Sequence, residues 1–283
     1  MRPYSRVQKT RRTEIVTASL SSPVSYGNPL MTTEGGPGFG SNAVLGVVPG
    51  YSLDTKFGRN NSIGTATTPE DVWHGGGVYT GHPLVTPETV EVFSSDGADA
   101  PAGSGALTIR FHGLKTNAST EYVSEDVTLN GVTAVPTSTT WWRINRAYVL
   151  TAGGGGANVG TLTIRHTTTT ANVFAVMPAG ANQTQIAAYT VPAGSQMLIK
   201  HFRFAITRST GAAGSANVTL RAREPGSVFR AIRNLELQTG SVVDVTSAGG
   251  VLLPAGTDVK FRVESVSDNG TIADGSFEYF LIS

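Results

Sequence analysis

Between Lys56 and Gly81 the chain reads KFGRNNSIGTATTPEDVWHGGGVYTG, which collects Lys56, Arg59, Glu70, Asp71 and His74 in one short, glycine-rich stretch. These side-chain types supply general acids and bases, so an active site would first be sought here. A glycosidase needs two carboxyls flanking one bond, and the nearest pairs are Glu70 with Asp71, or Glu121 with Glu125 and Asp126. Neighbouring residues on a strand point to opposite faces, however, so these acids read as solvated turn residues. Asn60-Asn61 and Gly64 suit turns, Thr68-Pro69-Glu70-Asp71 suits a capped turn, and Gly75 to Gly77 permit close backbone approach. With Val72 and Trp73 burying locally, the stretch reads as a joint, placed where the N-terminal arm ends and the first periodic strands begin.

Other catalytic constellations are missing from the sequence. It has no G-x-S-x-G elbow, no phosphate loop of the G-x-x-x-x-G-K-[ST] type, no H-E-x-x-H and no EF-hand loop. Gly153 to Gly156 lack the dinucleotide-binding spacing and read as a flexible hairpin loop. His74, His82, His112, His166 and His201 are scattered without i, i+2 or i+4 pairing, so no metal site is expected. The absence of cysteine excludes disulfides, thiol catalysis and thiolate zinc sites, and suits folding in a reducing cytoplasm. No enzyme activity and no cofactor are expected.

Two further clusters bear on binding. In WWRINRAYVL, strand alternation places Trp142, Ile144, Arg146, Tyr148 and Leu150 on one face and Trp141, Arg143 and Asn145 on the other. Trp141, Arg143 and Asn145 are therefore candidates for a subunit interface; the alternatives are a sugar-stacking platform or a place in the monomer core. RAREPGSVFRAIR (221 to 233) sets four arginines around a Pro-Gly turn, but Phe229 is its only aromatic residue. A solvated hairpin or ionic subunit contact fits better than nucleic-acid binding, and no specific nucleic acid is expected as a partner.

The elements that must carry these residues are short strands. Of 283 residues 39% are hydrophobic and only 14% charged, with 34 glycines, the composition of a β-rich assembly protein. Leu107, Ile109 and Phe111 alternate with Thr108, Arg110 and His112; Phe202, Phe204 and Ile206 with Arg203, Ala205 and Thr207; Val259, Phe261 and Val263 with Lys260, Arg262 and Glu264. The fold class is all-β, as antiparallel β-sandwich or jelly-roll-like units. One unit is placed at 65 to 167 and the second at 168 to 283, preceded by an extended N-terminal arm over 1 to 64.

The arm is polar and interrupted by Pro and Gly, as in TTEGGPGFGSN, and such a segment cannot bury enough apolar surface to fold alone. It is expected to be pinned by neighbouring chains, or else to fold back over its own domain. Arg2, Arg6, Lys9, Arg11 and Arg12 against Glu14 make residues 1 to 14 net +4; with +1 overall, the remainder carries −3. These five residues are candidates for a partner-binding arm. No apolar core follows them, as a signal peptide would require, and no apolar run is long enough to span a bilayer, so a soluble protein without a membrane partner is expected.

GNPL at 27 to 30, VVPGYSLDTKFGRN, TTPEDVWHGGGVYT, SEDVTLNG, RINRAYVLTAG and AAYTVPAG at 187 to 194, in this order, resemble a family of β-rich virion structural proteins of tailed bacteriophages, encoded among head and tail genes. The resemblance runs through most of the chain from residue 27 and brings no catalytic residues. It implies a virion component assembled in the host cytoplasm. The role expected first is a head decoration or cement protein, a homotrimer bridging the major capsid protein. The alternative is a neck, tail or fibre component bound to connector or tail proteins, with host-surface glycan binding a further possibility.

Overall fold

The computed structural model describes residues 38–82, 86–120, 122–209 and 214–283. The chain divides into a unit over Met1–Pro49 and a compact body over Gly50–Ser283. In the first unit, where only irregular chain is expected, Phe39–Val44 form a short helix, α1. Its first and last turns close through Asn42 N–H to Gly38 O (3.0 Å) and Leu45 N–H to Ser41 O (2.9 Å). Six residues are too few to display a helical apolar period, so pattern reading passes over such an element.

The expected arm also ends earlier than residue 64. Tyr51–Ile63 form a long strand, β1, paired antiparallel along almost its whole length with the last strand, β16 (Thr271–Ile282). The buried positions of β1 are Lys56, Gly58, Asn60 and, at its end, Ile63. Polar or absent side chains on the buried face conceal the alternation that would otherwise announce a strand.

The body is all-β, built as two antiparallel sandwiches. The first pairs a sheet of β3 (Glu88–Ser94), β6 (Val135–Trp141), β8 (Leu162–His166) and β9 (Val173–Met177) with a sheet of β4 (Ala106–Leu114), β5 (Val123–Thr128) and β7 (Arg143–Ala152). Their common core includes Val90, Val92, Ile109, Phe111, Trp141, Leu162, Ile164 and Phe174. In the second, β1, β16, β11 (Gln196–Arg208) and β14 (Val242–Leu253) face β10 (Ala188–Thr190), β12 (Ser215–Arg223), β13 (Arg230–Gln238) and β15 (Asp258–Val266), with the two-residue β2 (Glu70–Asp71) added beside β15. Phe202, Phe204, Phe261, Phe277 and Tyr279 fill this core, and successive strands repeatedly cross from one sheet to the other.

The unit boundaries differ from those read off the sequence. The polar run after His166 is the turn of a β8–β9 hairpin, closed by His166 N–H to Asn172 O at 2.9 Å, so the first sandwich continues past 167. The second recruits β1 and β2 from ahead of the first. Gly153 to Gly156 join β7 to β8, which lie in different sheets, and thus are not a hairpin loop. This crossing packs on backbone: a Cβ at Gly153 would stand 2.3 Å from Gly103 O.

Truncating the centre of either core should cost about 3–5 kcal/mol. Urea denaturation of Phe261→Ala and Trp141→Ala, both wholly buried, should show losses of that order, whereas exposed Arg233→Ala should leave stability nearly unchanged. An unaltered midpoint for Trp141→Ala would return that residue to the surface.

Candidate functional site

The opening stretch joins the two sandwiches to each other, not an arm to the first strands as expected. Val72 packs in the core of the second sandwich, and the next residue, Trp73, packs in the core of the first. Val72 N–H donates to Phe261 O (3.1 Å), Ala187 N–H to Val72 O (2.9 Å) and Phe261 N–H to Ala187 O (3.0 Å), which ties three distant segments by backbone alone. β1 crosses this knot at Gly58, where a Cβ would lie 2.1 Å from Ala187 N.

The carboxyls of the stretch are both buried and both engaged. Glu70 accepts from Asn60 Nδ2 (2.9 Å), Gly77 N–H (2.8 Å) and the Thr67 hydroxyl. Burial opposes its ionisation, but the hydrogen bonds from Thr67, Gly77 and Asn60 outweigh that and hold its carboxyl below the usual range. Asp71 accepts from Lys260 Nζ (2.6 Å) and Tyr79 N–H (2.7 Å). The two acids face different partners and do not flank a common site.

A second buried ionic group spans the sandwiches. Arg143, at the start of β7, donates through Nε and a terminal nitrogen to the two oxygens of Asp258 on β15, at 2.8 and 2.9 Å. Arg223 Nε reaches the same carboxylate at 3.0 Å. Burial would raise the Asp258 carboxyl, yet the charges of His82, Arg143 and Arg223 hold it far below the ordinary carboxylate range. Trp142 lies under the Arg143 guanidinium (3.8 Å), while Phe229 covers both Arg223 (4.6 Å) and Lys260 (4.5 Å).

This geometry corrects the expected interface. Trp141, Arg143 and Asn145 are 0%, 2% and 5% exposed and so do not form an exposed interface patch. Trp141 lies in the first core, stacked near Phe111. Arg143 and Asn145 point into the joint, where polar residues are inward-facing. The face assignment along β7 also breaks, because Gly113 pairs with Ile144 but His112 pairs with Arg146. Asn145 is the extra residue of a bulge, so Ile144 does not share a face with Arg146 and Tyr148. Its side-chain amide trades two bonds with the backbone of Thr190, at 3.2 and 3.3 Å.

Beside Asn145 opens a cleft of about 220 Å³ that no sequence motif announces. β1 contributes Asp54 and Lys56, β4 His112, and β7 Arg146 and Tyr148; Tyr122, Tyr189 and Tyr279 complete the wall. Lys56 Nζ donates to the Asn145 carbonyl. Burial, reinforced by the nearby Arg146 charge, pushes its pKa down to about 7. Arg146 is 3.7 Å from Asp54 and donates to Thr55 O at 3.1 Å. Tyr189 packs between Tyr122 (6.0 Å) and Tyr279 (4.8 Å), and the three hydroxyls interact with one another. No sequence signal marked the cleft, because β1, which carries Asp54 and Lys56, reads as irregular chain.

The remaining expected sites are structural or lie elsewhere. Arg2, Arg6, Lys9, Arg11, Arg12 and Glu121 are outside the described residues. Glu125 caps the backbone of Ser138 (2.6 Å) and Thr139 (2.9 Å), and Asp126 pairs with Arg110. RAREPGSVFRAIR forms the β12–β13 hairpin, but Arg221 and Arg223 turn inward to Glu264 and Asp258, so half of the expected ionic contact surface is internal. Among the described residues, no cluster of three or more His, Cys, Asp or Glu could hold a metal, and no helix is long and apolar enough to cross a membrane.

No family model and no curated protein matches the sequence. Among solved structures, a Yersinia pseudotuberculosis-derived mitogen is similar over 32% of this chain and 82% of its own, at 9% identity and a TM-score of 0.19. A structure of the infectious bursal disease virus Gt strain is similar over 85% of this chain and 77% of its own, at 11% identity and a TM-score of 0.22. The VP2 subviral particle of infectious bursal disease virus covers 82% of this chain and 72% of its own, at 8% identity and a TM-score of 0.22. Likenesses this low bear on neither topology nor function.

Asp258→Asn should destabilise the body by about 3–5 kcal/mol in urea denaturation, because Arg143 is left buried without its counter-charge.

Stability should also rise with pH above neutrality. Lys56 titrates near 7 when folded and near 10.5 when unfolded, so between these values the unfolded chain binds a proton that the native state does not. Lys260, likewise lowered by burial, adds to the rise. Tyr122, Tyr189 and Tyr279 are raised by burial, which reverses the slope above about 10. Denaturation at several pH values should show this maximum, with a shallower rise in Lys56→Met.

Proposed function

We propose that the chain is a non-enzymatic structural protein of a tailed-bacteriophage virion, and within it a head decoration or cement protein that bridges copies of the major capsid protein. The observation that carries this reading is the division of the chain. Residues 50–283 form one compact body whose sandwiches are fastened by the buried Arg143–Asp258 pair, while Met1–Pro49 form another unit with five basic residues among its first fourteen. A fastened body suits a load-bearing subunit, and a separate basic segment suits attachment to an acidic neighbour. The resemblance of GNPL, TTPEDVWHGGGVYT and RINRAYVLTAG to virion proteins points the same way.

Exposed ion pairs contribute only about 0–1 kcal/mol each, so the basic segment needs backbone pairing as well. The terminal strand β13, paired on one side with β12 and largely exposed, is a suitable acceptor in an adjacent copy. A homotrimer on the capsid surface is the assembly proposed.

The test is copy number in purified virions, measured against the major capsid protein by quantitative mass spectrometry. A head lattice requires on the order of hundreds of copies, whereas a neck, tail or fibre position requires roughly three to eighteen. Deleting residues 1 to 26 should leave a folded body that no longer joins the particle. Normal incorporation of the truncated chain would remove the arm from the attachment, and absence of the protein from virions would overturn the reading as a whole.

A further inference from the structure

The cleft beside Asn145 is unlike the rest of the joint. Elsewhere in the joint the buried cations are matched: Arg143 and Arg223 to Asp258, and Lys260 to Asp71. Lys56 is 3% exposed and donates to a carbonyl, and among the described residues no carboxylate forms an ion pair with its Nζ. The nearest acid in the cleft, Asp54, is taken up by Arg146 at 3.7 Å and by the Tyr279 hydroxyl at 3.4 Å. A buried cation without a counter-ion is costly, and an anionic group delivered by a ligand would satisfy it.

The other walls describe the body of such a ligand. Tyr122 and Tyr148 border the cleft with aromatic surface carrying hydroxyls, a combination that packs on C–H groups and hydrogen-bonds at the rim. Asp54 and His112 add polar groups that can meet ligand hydroxyls. The volume of about 220 Å³ corresponds to about seven waters at ~30 Å³ each, the scale of a single sugar ring.

We propose that this cleft binds one acidic pyranose, a sugar unit bearing a carboxylate, with the carboxylate on Lys56 and Arg146 and the ring against Tyr122 and Tyr148. The charge of the pocket selects the acid, and the tyrosines select a ring with apolar C–H faces over a bare anion. Uronic and sialic sugars share this chemistry. The site is independent of where the protein sits in a particle, so its failure would leave the structural role standing.

Isothermal titration of the full chain with methyl glucuronide, the methyl glycoside of sialic acid, methyl glucoside and inorganic phosphate tests it. At least one acidic glycoside should bind, and the neutral glucoside and phosphate should each bind at least about tenfold more weakly, a difference of ~1.4 kcal/mol. Which acidic glycoside binds decides between the two sources. Lys56→Met and Arg146→Gln, each checked for an intact fold by thermal melting, should each weaken binding by about tenfold or more. Absence of heat with both acidic glycosides at about 10 mM would overturn the proposal, since even millimolar affinity would be visible there. Equal binding of the glucoside would remove the role of the carboxylate, and equal binding of phosphate would reduce the cleft to an anion site. Unchanged affinity in a folded Arg146→Gln protein would equally overturn the assignment.

Discussion

The body depends on one carboxylate. Asp258, at the first position of β15, is held by two oxygens against Arg143 of the other sandwich and a third time by Arg223 of its own. Removing these charges from water costs several kcal/mol per ion, and only a paired, hydrogen-bonded geometry offsets it. The aromatic rings of Trp142 and Phe229 that cover the guanidinium groups keep water out of the pairing. The contact is intolerant of displacement, so it fixes how β7 meets β10 and β15, and with that the relative placement of the two cores.

The neighbouring features follow from this placement. Once Arg143 is directed into the joint, the next inward residue, Asn145, is displaced by a bulge and meets the backbone of Thr190 as though it were another strand. The bulge rotates Arg146 and Tyr148 outward beside His112. β1, passing at Gly58 where only a residue without a side chain fits, brings Asp54 and Lys56 to the same spot. The tyrosine-lined cleft is therefore a consequence of how two sandwiches are joined, and its unmatched lysine is the place where the ionic fastening is incomplete.

Much of the architecture was legible because burial imposes a period of two. Phe202, Phe204 and Ile206, like Val259, Phe261 and Val263, announced the second core directly, and turn residues marked the all-β class. The knot at 70 to 73 was legible as a joint only from its turn residues and was placed at the end of the arm; that adjacent Val72 and Trp73 enter different cores depends on the tertiary fold. What misled was polarity. Lys56, Gly58 and Asn60 on the buried face of β1 read as irregular arm, and Arg143 with Asn145 read as surface, because a polar residue facing a joint alternates just as one facing solvent does.

The sequence by itself determined the fold class, the existence of two apolar cores and the basic N-terminal segment, since these rest on residue type and on spacing along the chain. Tertiary structure alone decided which polar residues are inside. The partners that make burial tolerable lie far away in the chain: Asp258 is 115 residues from Arg143, and Asn145 is 89 residues from Lys56. A buried charge is stable only in the field of its counter-charge, and that field does not exist until both sandwiches have folded and met.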